Sequence, residues 1–103
     1  MVIVLFRSRL TQAAGADYGA MAEEMLAHAS TMPGFIDFKS FRAEDDERLS
    51  VIRWESQETL RQWATDMRHR VAQQLGREKW YEYFKLEVAE VVRAYDFTKP
   101  GAA

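Results

Sequence analysis

Phe84-Lys85-Leu86-Glu87-Val88-Ala89-Glu90-Val91-Val92-Arg93-Ala94-Tyr95-Asp96-Phe97 is the stretch on which the fold turns. Read as the last strand, it places Leu86, Val88 and Val92 on one face. Ala89, Val91, Tyr95 and Phe97 alternate on the other. A strand with two apolar faces is covered on both. One cover is the domain's own helices. A chain of 103 residues has no material for a second layer, so the second cover is expected from another subunit, in a homodimer.

Working outward, the rest of the chain supplies the partners of that strand. Val2 to Leu10 is β-rich and largely apolar, a central or doubly covered strand. Thr11 to Ala16 reads as a turn, with Asp17 as the cap of a first helix. Tyr18, Met21, Ala22, Met25, Ala29 and Met32 fall at spacings of three and four, one amphipathic stripe of that helix. Pro33-Gly34 stops it. Phe35 to Arg42 and Leu49 to Glu55 read as a hairpin around the polar loop Glu44-Asp45-Asp46-Glu47. Pairing Phe38 with Ile52 and Ile36 with Trp54 gathers apolar groups on one face and sets Asp37 opposite Arg53 on the other. Ser56 begins a second helix with the stripe Leu60, Trp63, Ala64, Met67, Val71 and Leu75, ended by Gly76. Lys79 to Tyr83 is either a helical turn or the start of a strand. The order β-α-β-β-α-β is the ferredoxin-like α+β pattern, here one domain over residues 1–98 with a loose tail at 99–103.

Composition narrows the function. Fourteen basic and sixteen acidic residues in mixed order give a net charge of −2, with no basic field for nucleic acid or anionic lipid. There are no cysteines, so disulfides, thiolate catalysis and cysteine-ligated zinc are excluded. No apolar run reaches the roughly 20 residues of a membrane span, and Arg7 and Arg9 interrupt the apolar opening. The expected location is the cytoplasm. No glycine-rich phosphate loop, no serine-nucleophile motif and no metal-ligand spacing around His28 or His69 is present. Thirteen aromatic residues need burial, against a second subunit or around a ligand.

Phe6-Arg7-Ser8, Met32-Pro33-Gly34-Phe35, Trp54-Glu55-Ser56, the set Trp63, His69 and Gln73, Gly76-Arg77, Trp80-Tyr81, Val88-Ala89-Glu90-Val91 and Tyr95-Asp96-Phe97 together resemble the antibiotic-biosynthesis-monooxygenase family. Each piece is short; their order and spacing carry the likeness over nearly the whole chain. The resemblance implies a dimeric α+β barrel, two sheets packed face to face, often with the final strand exchanged. It implies one of two chemistries: oxygenation of anthrones, quinols and related phenols without metal or flavin, or binding and degradation of haem. Related domains without catalysis also exist, which leaves a dimeric ligand-binding module as the third reading. Trp63 matches a tryptophan of the haem degraders. The first strand carries Arg7 and lacks their asparagine, and the spacing from Trp63 to His69 is shorter than theirs.

Oxygenation without a cofactor needs a flat aromatic site, a base and a group to stabilise an anion, with molecular oxygen as co-substrate. Phe6, Phe38, Trp54, Trp63 and Tyr81 are candidates for flat walls, Arg7 or Arg53 for the enolate, and His69 for the base, since its ordinary pKa of about 6.5 suits neutral pH. The bland alternative is aromatics in the core, paired arginines and a solvated histidine. For Arg7 the expected structural partner is Glu87 or Glu90. His69 has a sharper condition. At about 100° per residue it falls opposite the stripe of a continuous helix, and only a break between Trp63 and His69 turns it inward. In the haem reading His69 is the axial ligand. His28 reads as a boundary residue of the first helix.

Overall fold

The computed structural model describes residues 1–101, apart from the side chains of Met67 and Arg68. The expectations for Met67 in the second stripe and for the end of the tail lie outside the described residues. The elements are β1 (Val2–Leu10), α1 (Ala16–Ala29), β2 (Phe35–Arg42), β3 (Arg48–Trp54), α2 (Gln57–Ala64), α3 (Met67–Leu75), a π-helical turn (Gly76–Trp80) and β4 (Tyr81–Glu90). The four strands form one antiparallel sheet in the order β2-β3-β1-β4, the ferredoxin-like arrangement with β1 inside. Among the described residues no helix is long and apolar enough to cross a membrane.

Strand alternation divides the sheet into two unlike faces. Val2, Val4, Phe6 and Ser8 of β1 share a face with Trp54, Ile52, Ser50 and Arg48 of β3 and with Val88, Leu86 and Phe84 of β4. The helices lie on this side: Val2, Val4, Ala29 and Trp54 form the buried core, with Met32, Leu60 and Trp63 packed against it. The open face carries Ile3, Leu5, Arg7 and Arg9 of β1, then Leu49, Val51 and Arg53 of β3, and no helix among the described residues lies over it.

The hairpin register agrees with expectation at Phe38–Ile52 and Asp37–Arg53 and departs at its base. Phe35, not Ile36, pairs with Trp54; Ile36 is the bulged residue and is exposed. The reason is ring packing, since Phe35 sets its edge on the Trp54 ring at 5.6 Å. Gly34, at φ +84°, makes the turn into β2, and a side chain there would collide with Thr59.

The second helix is two helices. Ser56 caps α2 in a box with Thr59, as its position predicts. The helix ends at Ala64 because Thr65 Oγ1 turns back to the Arg61 carbonyl at 3.0 Å and Asp66 starts a new N-terminus. The Asp66 carboxylate accepts from the His69 amide, three residues on, as an N-cap does. Gly76 ends α3, as expected; the chain then runs on through the π-turn, and a Cβ at Gly76 would lie 2.7 Å from the Tyr81 ring. Asp17 does not cap α1, whose N-cap is Gly15. Its carboxylate ties α1 to the π-turn through Lys79 Nζ at 2.6 Å and Trp80 Nε1 at 3.3 Å.

The last strand is displaced from its expected bounds. It begins at Tyr81, directly after the π-turn, and its ladder stops at Glu90. Val91 still donates to the Met1 carbonyl at 3.0 Å. Beyond it the segment leaves the sheet, with Val92, Tyr95 and Phe97 exposed at 96, 92 and 83%.

Candidate functional site

The helix break decides where His69 goes. Restarting the helix at Met67 rotates His69 inward, and its ring stacks flat on Trp63 with centroids 4.3 Å apart and planes 16° apart. Its Nδ1 lies 3.2 Å from the Trp63 carbonyl oxygen. A carbonyl only accepts, so Nδ1 carries the proton and Nε2 keeps its lone pair, with no partner among the described residues. Burial lowers the His69 pKa from its ordinary value and outweighs the opposing pull of the Trp63 carbonyl and of Asp66. The imidazole is therefore held neutral at pH 7.

Sequence reasoning missed two members of this cluster. His28, read as a boundary residue, sits at the end of α1 with Nε2 at 3.1 Å from Asp66 Oδ1 and its ring 5.8 Å from Trp63. Nε2 is buried and close enough for an ion pair, yet not aligned as a hydrogen bond. Asp66 thus serves twice, as the cap of α3 and as the carboxylate beside His28. The signal was available: an aspartate three residues before His69, in the middle of an apparent helix, marks a restart. Trp54 lies just beneath, fully buried and 6.1 Å from Trp63. It is core rather than an exposed wall. Its Nε1 is buried without a partner among the described residues, the sort of orphan donor that clusters at functional sites.

A second aromatic group floors the other end of the same face. Phe6 meets Tyr81 at 5.4 Å and Phe84 at 5.5 Å, and Tyr18 from α1 closes on Tyr81 at 6.0 Å. Burial, with Tyr18 beside it, raises the Tyr81 phenol well above its ordinary range, so it stays protonated as a donor. Phe38 shares this face but stands on the edge strand β2, two strands away from Phe6.

Arg7 and Arg53 are not brought to either group. Both are on the open face. Arg7 pairs directly with Glu47, through Nε at 3.0 Å; Glu87 adds only a weaker attraction at longer range, and among the described residues Glu90 forms no ion pair with it. Glu47 reaches it because the hairpin loop folds over the end of β1, where the Tyr83 hydroxyl also donates to Glu47 at 2.5 Å. Arg53 donates to Asp37 at 3.2 Å. Among the described residues no group of three or more potential metal ligands is found.

Comparison with known proteins agrees with this architecture. The profile of the family described as antibiotic biosynthesis monooxygenase matches residues 1–75. The protein YqjZ of Bacillus subtilis is 36% identical over 76 residues, covering 74% of this chain and 67% of that one. Rv0793 from Mycobacterium tuberculosis superposes with a TM-score of 0.80 at 14% identity, over 92% of this chain and 98% of that one. SnoaB from Streptomyces nogalater, a cofactor-independent oxygenase, superposes with a TM-score of 0.74 at 14% identity, over 90% and 94%. At such identities the two structures establish the shared fold.

Proposed function

Because the chain belongs to the antibiotic biosynthesis monooxygenase family, we propose that it is a monooxygenase that oxidises a flat, electron-rich aromatic of the anthrone or quinol type with molecular oxygen, the substrate itself supplying the electrons. The observation that carries this reading is His69: neutral, stacked on Trp63, with Nδ1 engaged and Nε2 free to take a proton. A histidine whose pKa is lowered by burial is already in its basic form at pH 7.

For an anthrone the chemistry balances simply. His69 Nε2 removes one proton from the acidic methylene carbon. The carbanion passes one electron to oxygen, and the resulting radical pair joins at that carbon as a hydroperoxide. Loss of the second C–H proton and of the O–O bond leaves a carbonyl and one water. Trp63 supplies a flat wall beside the base. Phe6 and Tyr81 extend the floor along the sheet, with the Tyr81 hydroxyl as a hydrogen-bond donor. SnoaB, which shares the fold, is a cofactor-independent oxygenase, which favours this route over a haem-dependent one.

The assembly we propose is a homodimer in which two open faces pack against one another. Ile3, Leu5, Leu49 and Val51 then find a cover, and residues 91–97 lie across the partner, burying Val92, Tyr95 and Phe97. A chain cut after Glu90 is expected to run as a monomer by light scattering, where the full chain runs as a dimer.

Oxygen uptake with an anthrone, in the presence of a chelator, tests the activity. One oxygen consumed per anthrone, abolished by His69→Ala, is expected. Uptake that requires added haem, or that survives His69→Ala, overturns the reading.

A further inference from the structure

Arg42 and Arg48 stand directly opposite one another across the β2–β3 hairpin, on the helix-facing side of the sheet. Like charges at that position repel. The three arginines of the open face are each matched by a carboxylate: Arg7 by Glu47, Arg9 by Asp45 and Arg53 by Asp37. Among the described residues neither Arg42 nor Arg48 has such a partner. In a chain of net charge −2, this is a local surplus of cations left open.

The pair also forms the shared wall of two adjoining shallow grooves of about 350 and 380 Å³. Ser40 lines the first, and its hydroxyl lies 3.5 Å from that of Ser50. Asp46 is the one carboxylate lining the second, and it pairs with neither arginine. On its inner side the half-buried Arg48 stands over the Tyr18 ring, 5.8 Å from its centroid. Tyr18 leads on to Tyr81 and Phe6. Two guanidinium groups without a carboxylate partner among the described residues therefore stand side by side, and Arg48 links them to the aromatic rings.

We propose that this corner binds an aromatic carboxylate, the acid group held between Arg42 and Arg48 and the ring laid on Tyr18, Tyr81 and Phe6. The guanidinium fork matches a carboxylate in two parallel hydrogen bonds, and an anion relieves the repulsion within the pair. The apolar floor selects a ring over a bare anion. Ser8, paired with Arg48, stands six residue steps along β1 from Val2, paired with Trp54, so this corner lies about 20 Å along the strand from the His69 end at about 3.3 Å per residue. The site holds whether or not the bound ring is oxidised. It goes beyond the oxygenase reading and does not rest on it.

Titration calorimetry with 2-naphthoate and the uncharged 2-naphthamide tests it without turnover. Naphthoate is expected to bind about tenfold more tightly or better, as charge-assisted hydrogen bonds do. Added salt weakens it. Arg48→Gln and Arg42→Gln each remove that advantage, Arg48→Lys keeps part of it, and Arg61→Gln, on the exposed side of α2, leaves it whole. Arg42 is exposed on the edge strand, so its variant stays folded even where Arg48→Gln does not. Equal affinity for the two probes, or naphthoate binding unchanged in folded Arg42→Gln, overturns the proposal. Preference for naphthoate without oxygen uptake from any anthrone sinks the oxygenase reading and leaves this site standing.

Discussion

The open face of the sheet pairs its arginines with acids, and the helix-facing side leaves polar groups available. On the open face Arg7, Arg9 and Arg53 each meet an acid, and Tyr83 joins Arg7 on Glu47. On the helix-facing side, among the described residues, the Nε2 of His69 and the Trp54 indole N–H have no partner, Tyr81 is held as a donor, and Arg42 and Arg48 face each other without a carboxylate. A charge already satisfied by its own chain has little to offer a ligand. Groups kept neutral, unmatched or mutually repelling are bound to gain from one. The two faces hold similar residue types, and what separates them is pairing.

Substitutions on the two faces should therefore behave differently. The largest expected effect is His69→Ala, which should lower oxygen uptake about 10²–10⁴-fold, the range of a lost general base. Arg7→Gln in the same assay should leave it essentially unchanged; a comparable loss there would erase the distinction between the faces. Next, Trp54→Ala should cost about 3–5 kcal/mol in denaturant unfolding, because it empties a fully buried site. Asp66→Ala should cost about 1 kcal/mol as a lost helix cap. It should also lower uptake, since the α3 restart holds His69 inward; full activity with weakened stability would separate the cap from the site. The smallest effect should be Glu47→Gln, an exchange in a solvent-screened pair, with little movement of the melting midpoint.

Acid should distinguish two kinds of ionisable group. His69 has a folded pKa below its unfolded value of about 6.5. Its contribution to stability is complete above about 6.5 and is lost as pH falls from there towards the folded value. The base limb of the uptake profile should likewise lie below 6.5, because only the neutral ring accepts a proton. Asp17 is held down to about 2, first by Lys79 and then by Trp80, so its contribution is lost only as pH falls below the ordinary value of 3.8. Unfolding measured between pH 7 and 5 should be less steep in pH for His69→Ala than for the unaltered chain.

Much of the fold was legible because it rests on local periodicity. The order of the elements, β1 inside the sheet, the Ser56 cap and the Phe38–Ile52 pairing all come from alternation and helical spacing. What escaped depends on competition between side chains and backbone. The bulge at Ile36 arises from how the Phe35 ring fits Trp54. The break at Thr65-Asp66 lies under an unbroken apolar stripe, and only the cap chemistry of Asp66 reveals it. For the site, Trp63 and His69 were legible as residue types, and their stacking was not. Arg7 and Arg53 attracted notice as cations in apolar strands, yet the loop residue that neutralises Arg7 is forty positions away in sequence. Arg48 passed unnoticed because apolar content alone starts β3 one residue later, at Leu49.

Whether ligands belong to the helix-facing side can be read residue by residue from an amide and indole shift map. An unreactive anthraquinone carboxylate is titrated into isotope-labelled protein. Shifts are expected on the helix-facing side, at the Trp63 indole or at the amides of Phe6, Arg48 and Tyr81, with Arg7, Val51 and Arg53 still. Shifts confined to Arg7, Val51 and Arg53 would place the ligand on the open face and contradict the contrast drawn between the two.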